Sequence, residues 1–208
     1  MTQSNRVDQL LDRYGETYAH QAGIRLADRP RPLYQLLVLV KLLSTRISAD
    51  VAVAGARALF DAGLTTPRAV RDADAHTLWH TLAAAHYVRY AGPAIRQLAD
   101  GAQLTLDRWG GDLRRMHAAA AGDRAALRAS LTEFPGIGPT GADIYLREAQ
   151  AVWPDVRPYL DERVTAAAKA VRLPGSPARL AGLVAPDRLP ELAAAVLRGS
   201  RDKALTSA

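Results

Sequence analysis

Apolar and polar positions follow the spacing of an α-helix along most of the chain, and segments with the two-residue period of a β-strand are almost absent. The sequence therefore predicts an all-α protein. Helices are expected over residues 7–20, 33–43, 49–60, 67–71, 75–84, 90–109, 124–133, 140–151 and 162–171. Prolines open two further short helices near Pro177 and Pro186, and the tail from Gly199 is expected to fray.

The segment FPGIGPTGADIYL predicts a helix that stops at a glycine turn and restarts at once. Pro135 cannot continue the preceding helix, and Gly136 and Gly138 lack side chains that would block a tight turn or an approaching anion. Pro139 favours the first turn of the next helix, whose unpaired N–H groups point at that anion. We interpret the segment as a helix-hairpin-helix motif. The alternative is an ordinary turn between two core helices.

Composition narrows the class of protein. The 208 residues are 49% hydrophobic, which is enough for a packed core, and the absence of cysteine excludes disulfides and cysteine-ligated iron–sulfur clusters. The net charge of +6 comes almost entirely from arginine and favours a polyanion partner, with a GC-rich genome as the alternative explanation. The chain shows no apolar leader, and its most apolar run carries Lys41. We therefore expect a cytoplasmic, nucleoid-associated protein with no membrane partner.

With the hairpin placed, three blocks of the chain resemble the endonuclease III-like family of base-excision DNA glycosylases. The blocks are KLLSTRISADVAV, AHYVRYAGPAI, and the stretch that runs through the hairpin to PYLDERV. The resemblance implies two helical lobes, one over residues 30–150 with the hairpin, and one built from residues 1–29 and 151–208. It also implies an active site in a central cleft.

The resemblance assigns Asp161 as the catalytic residue, because it matches the family's aspartate after the second helix of the hairpin. A carboxylate near the anomeric carbon stabilises an oxocarbenium-like sugar and orients a water. A position at a helix N-terminus favours the ionised form. The alternative is that Asp161 only caps the helix that follows. The connector from Thr140 to Asp161 is longer than is usual in the family.

The resemblance places the grip on a DNA phosphate at Pro135, Gly136, Ile137, Gly138 and Thr140. Bifunctional relatives carry a lysine where Thr140 stands, and a threonine hydroxyl cannot form a Schiff base, so no lyase step is expected. The hairpin carbonyls of relatives can hold a monovalent cation, which the resemblance permits here. No other cofactor and no metal site is expected.

Two further segments match the family's probes of the base stack. Arg46, next to Thr45, lies where relatives place the side chain that fills the gap left by a flipped base, and arginine can pair with guanine. His86, with Tyr87 after it, lies where a second wedge is expected. The alternatives are a solvated loop arginine and a partly buried histidine at a helix end.

The sequence thus predicts a monomeric, monofunctional glycosylase that binds double-stranded DNA, flips a damaged or mispaired base and hydrolyses its glycosidic bond. One alternative is a lesion-sensing DNA-binding protein of the same fold that has lost its chemistry. Another is a hairpin module for protein assembly, which the position of Asp161 and the basic charge disfavour. No motif specifies the base.

Overall fold

The computed structural model describes residues 3–206, in which regular structure is helical and no strand occurs. This confirms the predicted all-α class. The α-helices in chain order are α1 (Gln3–Tyr14), α2 (Tyr18–Gln21), α3 (Pro30–Leu43), α4 (Ala49–Asp61), α5 (Pro67–Asp72), α6 (Ala75–Ala84), α7 (Ala91–Trp109), α8 (Leu113–Ala119), α9 (Arg124–Thr132), α10 (Pro139–Ala149), α11 (Glu162–Ala170), α12 (Pro177–Ala181), α13 (Leu189–Gly199) and α14 (Lys203–Thr206). Short 3₁₀ helices cover Pro154–Val156 and Pro186–Arg188. Within the described range, every helix is too short or too polar to span a bilayer.

The chain divides into two compact units. The larger unit is Ala19–Tyr145, and the smaller comprises the described parts of Met1–Tyr18 and Leu146–Ala208.

The larger unit is built around α3, which is apolar on every side and is therefore buried along almost its whole length. Leu33, Leu36, Leu39 and Leu42 are fully buried, and α3 contacts α4, α7 and α8. Further pairs are α5 with α7, α4 with α6, and α8 with α9. The end of α3 is consequently a rigid support for the loop that follows it from Ser44.

The smaller unit is built around α13, which packs against α1 and α11. Its apolar core includes Leu10, Val164, Leu192 and Val196. Because Val164 lies in the first turn of α11, burial of this side chain anchors the end of the helix that Asp161 precedes. The core thus holds Asp161 through the helix that it caps.

The helix predicted over residues 7–20 is divided in the structure. The last turn of α1 closes where the Gly15 N–H donates to the Leu11 carbonyl at 2.8 Å. The first N–H of α2, on Tyr18, donates to Oε1 of Glu148 at 3.0 Å. A side chain distant in sequence therefore caps the second helix, and the local pattern does not show it.

Three other differences between the predicted and the observed helices have local causes. α3 begins at Pro30, because prolines in a first helical turn lack only an N–H that would be unpaired there anyway. α8 was not predicted, since seven residues are too few to show a period; Asp112 caps it by accepting from the Arg114 N–H at 3.0 Å. The expected frayed tail contains α14, where Asp202 accepts from the Ala204 N–H at 2.9 Å.

Candidate nucleic-acid interface

The predicted hairpin is present between α9 and α10. Phe134 and Ile137 are buried on either side of Gly136 and anchor the turn in the core. The Ile137 N–H donates to the Phe134 carbonyl at 2.9 Å, which closes the turn. The first intrahelical bond of α10 runs from the Ala142 N–H to the Gly138 carbonyl at 3.0 Å. Between these anchors the backbone is exposed at Gly136 and Gly138.

Three N–H groups at this exposed turn have no acceptor among residues 3–206: those of Gly136, Gly138 and Thr140. Pro139, which lies between the last two, has no N–H to offer. Unpaired N–H groups at the start of an α-helix concentrate positive partial charge, and α10 has eleven residues to support it. The turn is therefore suited to bind one phosphate group through its backbone.

Ile137 has a structural role in this turn. Its side chain is buried and its N–H is used inside the turn, so it anchors the hairpin, and its contact with DNA stays a prediction. Pro135 is half-buried. The exposed surface of the grip is formed by Gly136, Gly138 and Thr140.

A side chain would have different consequences at the two hairpin glycines. Gly136 has a φ of +77°, and a Cβ there would lie 2.5 Å from Oε1 of Gln97 and 2.6 Å from Cε of Lys41. The fold itself therefore requires Gly136. Gly138 does not have a positive φ, and a Cβ there would meet nothing within 4 Å. The sequence predicted that both glycines are needed for a tight turn. In the structure only Gly136 is needed for the turn, and Gly138 leaves open space on its exposed side.

A third glycine, Gly141, which was not among the predicted site residues, brings the hairpin against the end of α3. A Cβ on Gly141 would lie 2.5 Å from Oγ of Ser44 and 3.0 Å from Cγ2 of Ile137. Ser44 caps α3, and its Oγ donates to the Val40 carbonyl at 2.7 Å. The start of α10 is thus in close contact with the residue just before Thr45.

An ion pair joins the two helices of the hairpin. Nε of Arg128 on α9 lies 2.6 Å from Oδ1 of Asp143 on α10, and Nη2 lies 3.2 Å from Oδ2. Nη2 also donates to the Pro139 carbonyl at 3.4 Å. This forked geometry fixes the angle at which α10 leaves the turn. No sequence pattern pairs residues fifteen positions apart, so the contact was not predicted.

The two predicted probe segments are in contact with each other. Oγ1 of Thr45 donates to the Leu42 carbonyl at 2.8 Å and lies 2.8 Å from the hydroxyl of Tyr87. Because Thr45 has a single hydroxyl proton, Tyr87 is the donor in the second bond. Burial raises the pKa of Tyr87, which keeps that proton in place. Tyr87 is fully buried and its side chain supports the Thr45 loop, whereas its contact with DNA stays a prediction.

The residues beside this contact are exposed. Arg46 extends from the loop after α3 and has no ion pair or hydrogen bond within the described part of the chain. His86 is exposed and has a φ of +59°, a left-handed conformation that is uncommon for a non-glycine residue. The alternative of a partly buried His86 is thereby excluded. Val88, just beyond it, is 56% exposed.

Lys41 lies beneath the hairpin and was noted in the sequence only as a charge in an apolar run. The residue is 3% exposed, and its Nζ is buried without a hydrogen-bond partner. Burial lowers the pKa of its ammonium group from 10.5 to about 8. The sequence signal was a lysine inside LYQLLVLVKLL, but the hairpin that covers it is distant in the chain.

In the smaller unit, Asp161 caps α11, as the alternative for this residue stated. Its Oδ1 accepts from the N–H groups of Arg163 at 2.9 Å and Val164 at 3.2 Å. Its Oδ2 lies 2.8 Å from Nε of Arg147, an ion pair whose geometry is not that of an aligned hydrogen bond. Both side chains are about nine-tenths buried. No pattern in the sequence predicted Arg147 as a counterion.

The longer connector before Asp161 is fixed by Gln150, which is fully buried. Its amide nitrogen donates to the carbonyls of Arg147 at 2.9 Å and Tyr159 at 3.2 Å, and its Oε1 accepts from the Tyr159 N–H at 2.8 Å. Nε of Arg157 donates back to the Gln150 carbonyl at 2.5 Å. The extra residues are thus ordered, and they lead directly to Asp161.

No group of three or more histidine or acidic side chains that could hold a metal ion occurs among residues 3–206. Nε2 of His76 and Nε2 of His80 lie 2.8 Å apart on the exposed face of α6, where the two rings bond to each other.

Comparisons with known proteins show a likeness in structure. No protein-family model matches the chain, and no curated protein matches it. Among solved structures, the chain is similar to endonuclease III in a trapped covalent intermediate with DNA, an estranged-adenine complex. The TM-score is 0.48 at 14% identity, over 95% of this chain and 85% of the other. A likeness at this level does not assign an activity.

The predicted site residues fall into two groups. Thr45, Arg46, His86 and the hairpin belong to the larger unit, where the contacts of Ser44 and Tyr87 bring the three segments together. Asp161 belongs to the smaller unit, with its ion pair to Arg147.

Proposed function

We propose that this protein binds duplex DNA and acts as a monofunctional DNA glycosylase. The observation that carries the proposal is the exposed turn at the start of α10, where Gly136, Gly138 and Thr140 present unpaired N–H groups. A phosphate bound there is held through backbone alone, so the grip is independent of base sequence. The net charge of +6 supports a polyanion partner.

Two exposed side chains are proposed to probe the base stack. Arg46 is long enough to enter the space left by an extruded nucleotide, and the loop that carries it is fixed by the bonds of Thr45 to Leu42 and Tyr87. His86 is held in a left-handed conformation beside buried Tyr87. Filling the gap offsets part of the few kcal/mol that extrusion of a base costs.

For the chemistry we propose Asp161 as the carboxylate that stabilises the sugar. The bond between C1′ and the base nitrogen breaks, and the base leaves with the electron pair. A water oxygen bonds to C1′, and the proton that this water loses ends on the departing base, so that the products are an abasic sugar and a neutral free base. Nε of Arg147 lies 2.8 Å from Oδ2 and places a positive charge against the carboxylate. For Asp161 to reach a sugar, Arg147 has to move away from Oδ2.

The same ion pair favours a second candidate function, a DNA-binding protein without base excision. With Oδ1 bound to two N–H groups and Oδ2 against Arg147, Asp161 is fully engaged as a structural residue. The hairpin and the two probe loops would then recognise distorted DNA without cutting it. The two candidates differ in one observable, the release of a free base.

The DNA-binding part is tested with a labelled duplex that contains one abasic-site analogue. Affinity should fall steeply with salt, because phosphate contacts release counterions. Gly138→Val should weaken binding to all sequences alike while the protein stays folded, since the added side chain points into open space above the turn. Binding that is insensitive to salt, or a Gly138→Val variant that binds as the wild type does, would overturn the hairpin assignment.

The chemical part is tested by the products. A monofunctional enzyme leaves an intact abasic strand that breaks only after alkali, and borohydride should trap no covalent complex. Lys41 is the lysine nearest the turn, but its Nζ is buried, and Thr140 cannot form an imine. A borohydride-trapped complex would show an amine nucleophile and contradict the monofunctional assignment.

A further inference from the structure

Lys41 is a buried cation that the phosphate grip described above does not use. Its Nζ has no hydrogen-bond partner within the described range. An ammonium group in apolar surroundings is costly when nothing compensates its charge. Packed cores rarely keep such a group without a function that needs it.

The side chain of Lys41 runs directly under the phosphate-binding turn. Its Cε lies 2.6 Å from the position that a Cβ would take on Gly136, so only the absence of a side chain on Gly136 leaves room for it. The next atom of the lysine is the charged Nζ. The positive charge is therefore one bond away from an atom that lies against Gly136, and the N–H of Gly136 is one of the three unpaired groups of the turn.

Among the described residues, those that line the cavity beside Lys41 carry no negative charge. A cavity of about 20 Å³ beside Lys41 is lined by Gln97 of α7, by Phe134 and Pro135 of the hairpin, and by apolar side chains. Tyr34 is the only other titratable residue in that lining, and burial raises its pKa, so it stays neutral. The cavity has room for about one water molecule and is too small for a phosphate group.

We propose that the Lys41 ammonium stabilises a DNA phosphate bound at the hairpin, acting through the Gly136 turn from below without touching the phosphate. The inference rests on the proposed DNA binding by the hairpin. The unpaired N–H groups contribute partial charges and hydrogen bonds, and Lys41 adds a full charge. Because that charge is buried, solvent and salt screen its attraction to the phosphate less than they screen a surface lysine.

The proposal makes DNA binding depend on pH in a defined direction. The free protein holds Lys41 with a pKa of about 8, and a nearby phosphate raises that pKa, so binding takes up a proton. Affinity is then highest below about pH 8, declines as pH rises through the pKa of the free protein, and levels off above the pKa of the complex. A rise of about one pKa unit corresponds to about tenfold in affinity.

The test compares wild type, Lys41→Met and Lys169→Met on the same abasic-analogue duplex, at constant ionic strength, between about pH 7 and pH 9.5. Methionine keeps the unbranched chain of Lys41 without its charge. We expect wild-type affinity to fall by about tenfold across this window, and Lys41→Met to bind with that weaker affinity at every pH. Lys169 is exposed, so Lys169→Met should keep the wild-type pH dependence. Other groups that titrate in the window are common to all three proteins.

A second measurement uses the wild type alone. The chain has three lysines, so a protein labelled at lysine Cε gives three signals, and Lys41→Met identifies the one from Lys41. Titration with and without the duplex should show the pKa of that lysine near 8 in the free protein and about one unit higher in the complex.

The outcomes separate the inference from the function on which it rests. Wild type that binds DNA and loses binding in Gly138→Val, but has the same affinity and pH dependence as Lys41→Met, would refute the role of Lys41 and leave the hairpin grip intact. An unchanged Lys41 pKa in the complex would refute it as well. Wild type that does not bind the duplex at low salt would overturn the proposed function itself.

Discussion

Replacing Lys41 by methionine should make the protein more stable, although the same change is expected to weaken DNA binding. Burial lowers the pKa of this ammonium group from 10.5 to about 8, so the folded chain holds the proton less tightly than the unfolded chain. A difference of this size corresponds to a cost on the order of 3 kcal/mol at pH 7, where both states are charged. Methionine removes the charge but leaves a small void where Nζ was. A net gain of about 2 kcal/mol is therefore expected.

The difference in stability between Lys41→Met and wild type should depend on pH, which makes the prediction more specific. Between about pH 8 and 10.5 the unfolded chain binds more protons at Lys41 than the folded chain, so this residue makes wild-type stability rise with pH. The advantage of Lys41→Met should accordingly be full below about pH 8 and shrink toward pH 10. Buried tyrosines also titrate at high pH, but they are present in both proteins and cancel in the difference.

Urea denaturation followed by circular dichroism, at pH 7 and near pH 10, measures both effects. At pH 7 a gain of about 2 kcal/mol corresponds to a rise in Tm of about 4–8 °C for a chain of this size. Lys169→Met, which removes an exposed lysine, should change stability by less than about 0.5 kcal/mol. A Lys41→Met variant that is no more stable than wild type at pH 7, or whose advantage does not change with pH, would show that Lys41 is not a buried, uncompensated charge.

Two further predictions concern the glycines of the hairpin and are read from urea denaturation. Gly136→Ala should lower the free energy of unfolding by about 1–3 kcal/mol, because its φ is +77° and the added Cβ meets Gln97 and Lys41. Gly138→Ala should change the free energy of unfolding by no more than about 0.5 kcal/mol. Equal effects of the two substitutions would contradict the geometry of the turn. Gly141→Ala should also lower the free energy of unfolding by about 1–3 kcal/mol, since the added Cβ clashes with the Ser44 Oγ. Adding Ser44→Ala to this variant should restore part of the lost stability. Strictly additive effects would show that the two residues do not touch.

The sequence predicted the hairpin correctly because its chemistry is local. Pro135 ends one helix and Pro139 begins the next, and the residues between them lie within one turn of chain. The same local information did not distinguish Gly136, whose φ is positive, from Gly138, whose exposed position leaves open space. That distinction depends on Gln97 and Lys41, which come from other helices.

The parts of the site that were missed depend on contacts between distant segments. The partner of Asp161 is Arg147, on a helix reached through a longer connector that Gln150 fixes. Tyr87 was predicted to contact DNA because it follows His86 in the segment that resembles a second wedge, but its side chain is buried and its hydroxyl lies against Thr45. The helical period of the sequence and its turn residues predict where the helices lie. The role of each side chain depends on its burial and on its contacts with residues of other helices, which the local sequence does not show.

Release of a free base is the measurement that tests the proposed function most directly. Duplexes with single damaged or mispaired bases are incubated with wild type, Asp161→Asn and Asp123→Asn, and the free base is quantified by chromatography. Asp123 is the matched control, since it caps α9 through two N–H groups as Asp161 caps α11. Asparagine is also a good N-cap, so both variants should keep their helices.

We expect wild type to release a base from at least one duplex and Asp123→Asn to match it. Asp161→Asn should be slower by about 10²- to 10⁴-fold while it still binds DNA. If wild type releases no base from a broad panel, or if Asp161→Asn is as active as wild type, the assignment of a glycosylase centred on Asp161 is contradicted. In the first case the binding-only function takes its place.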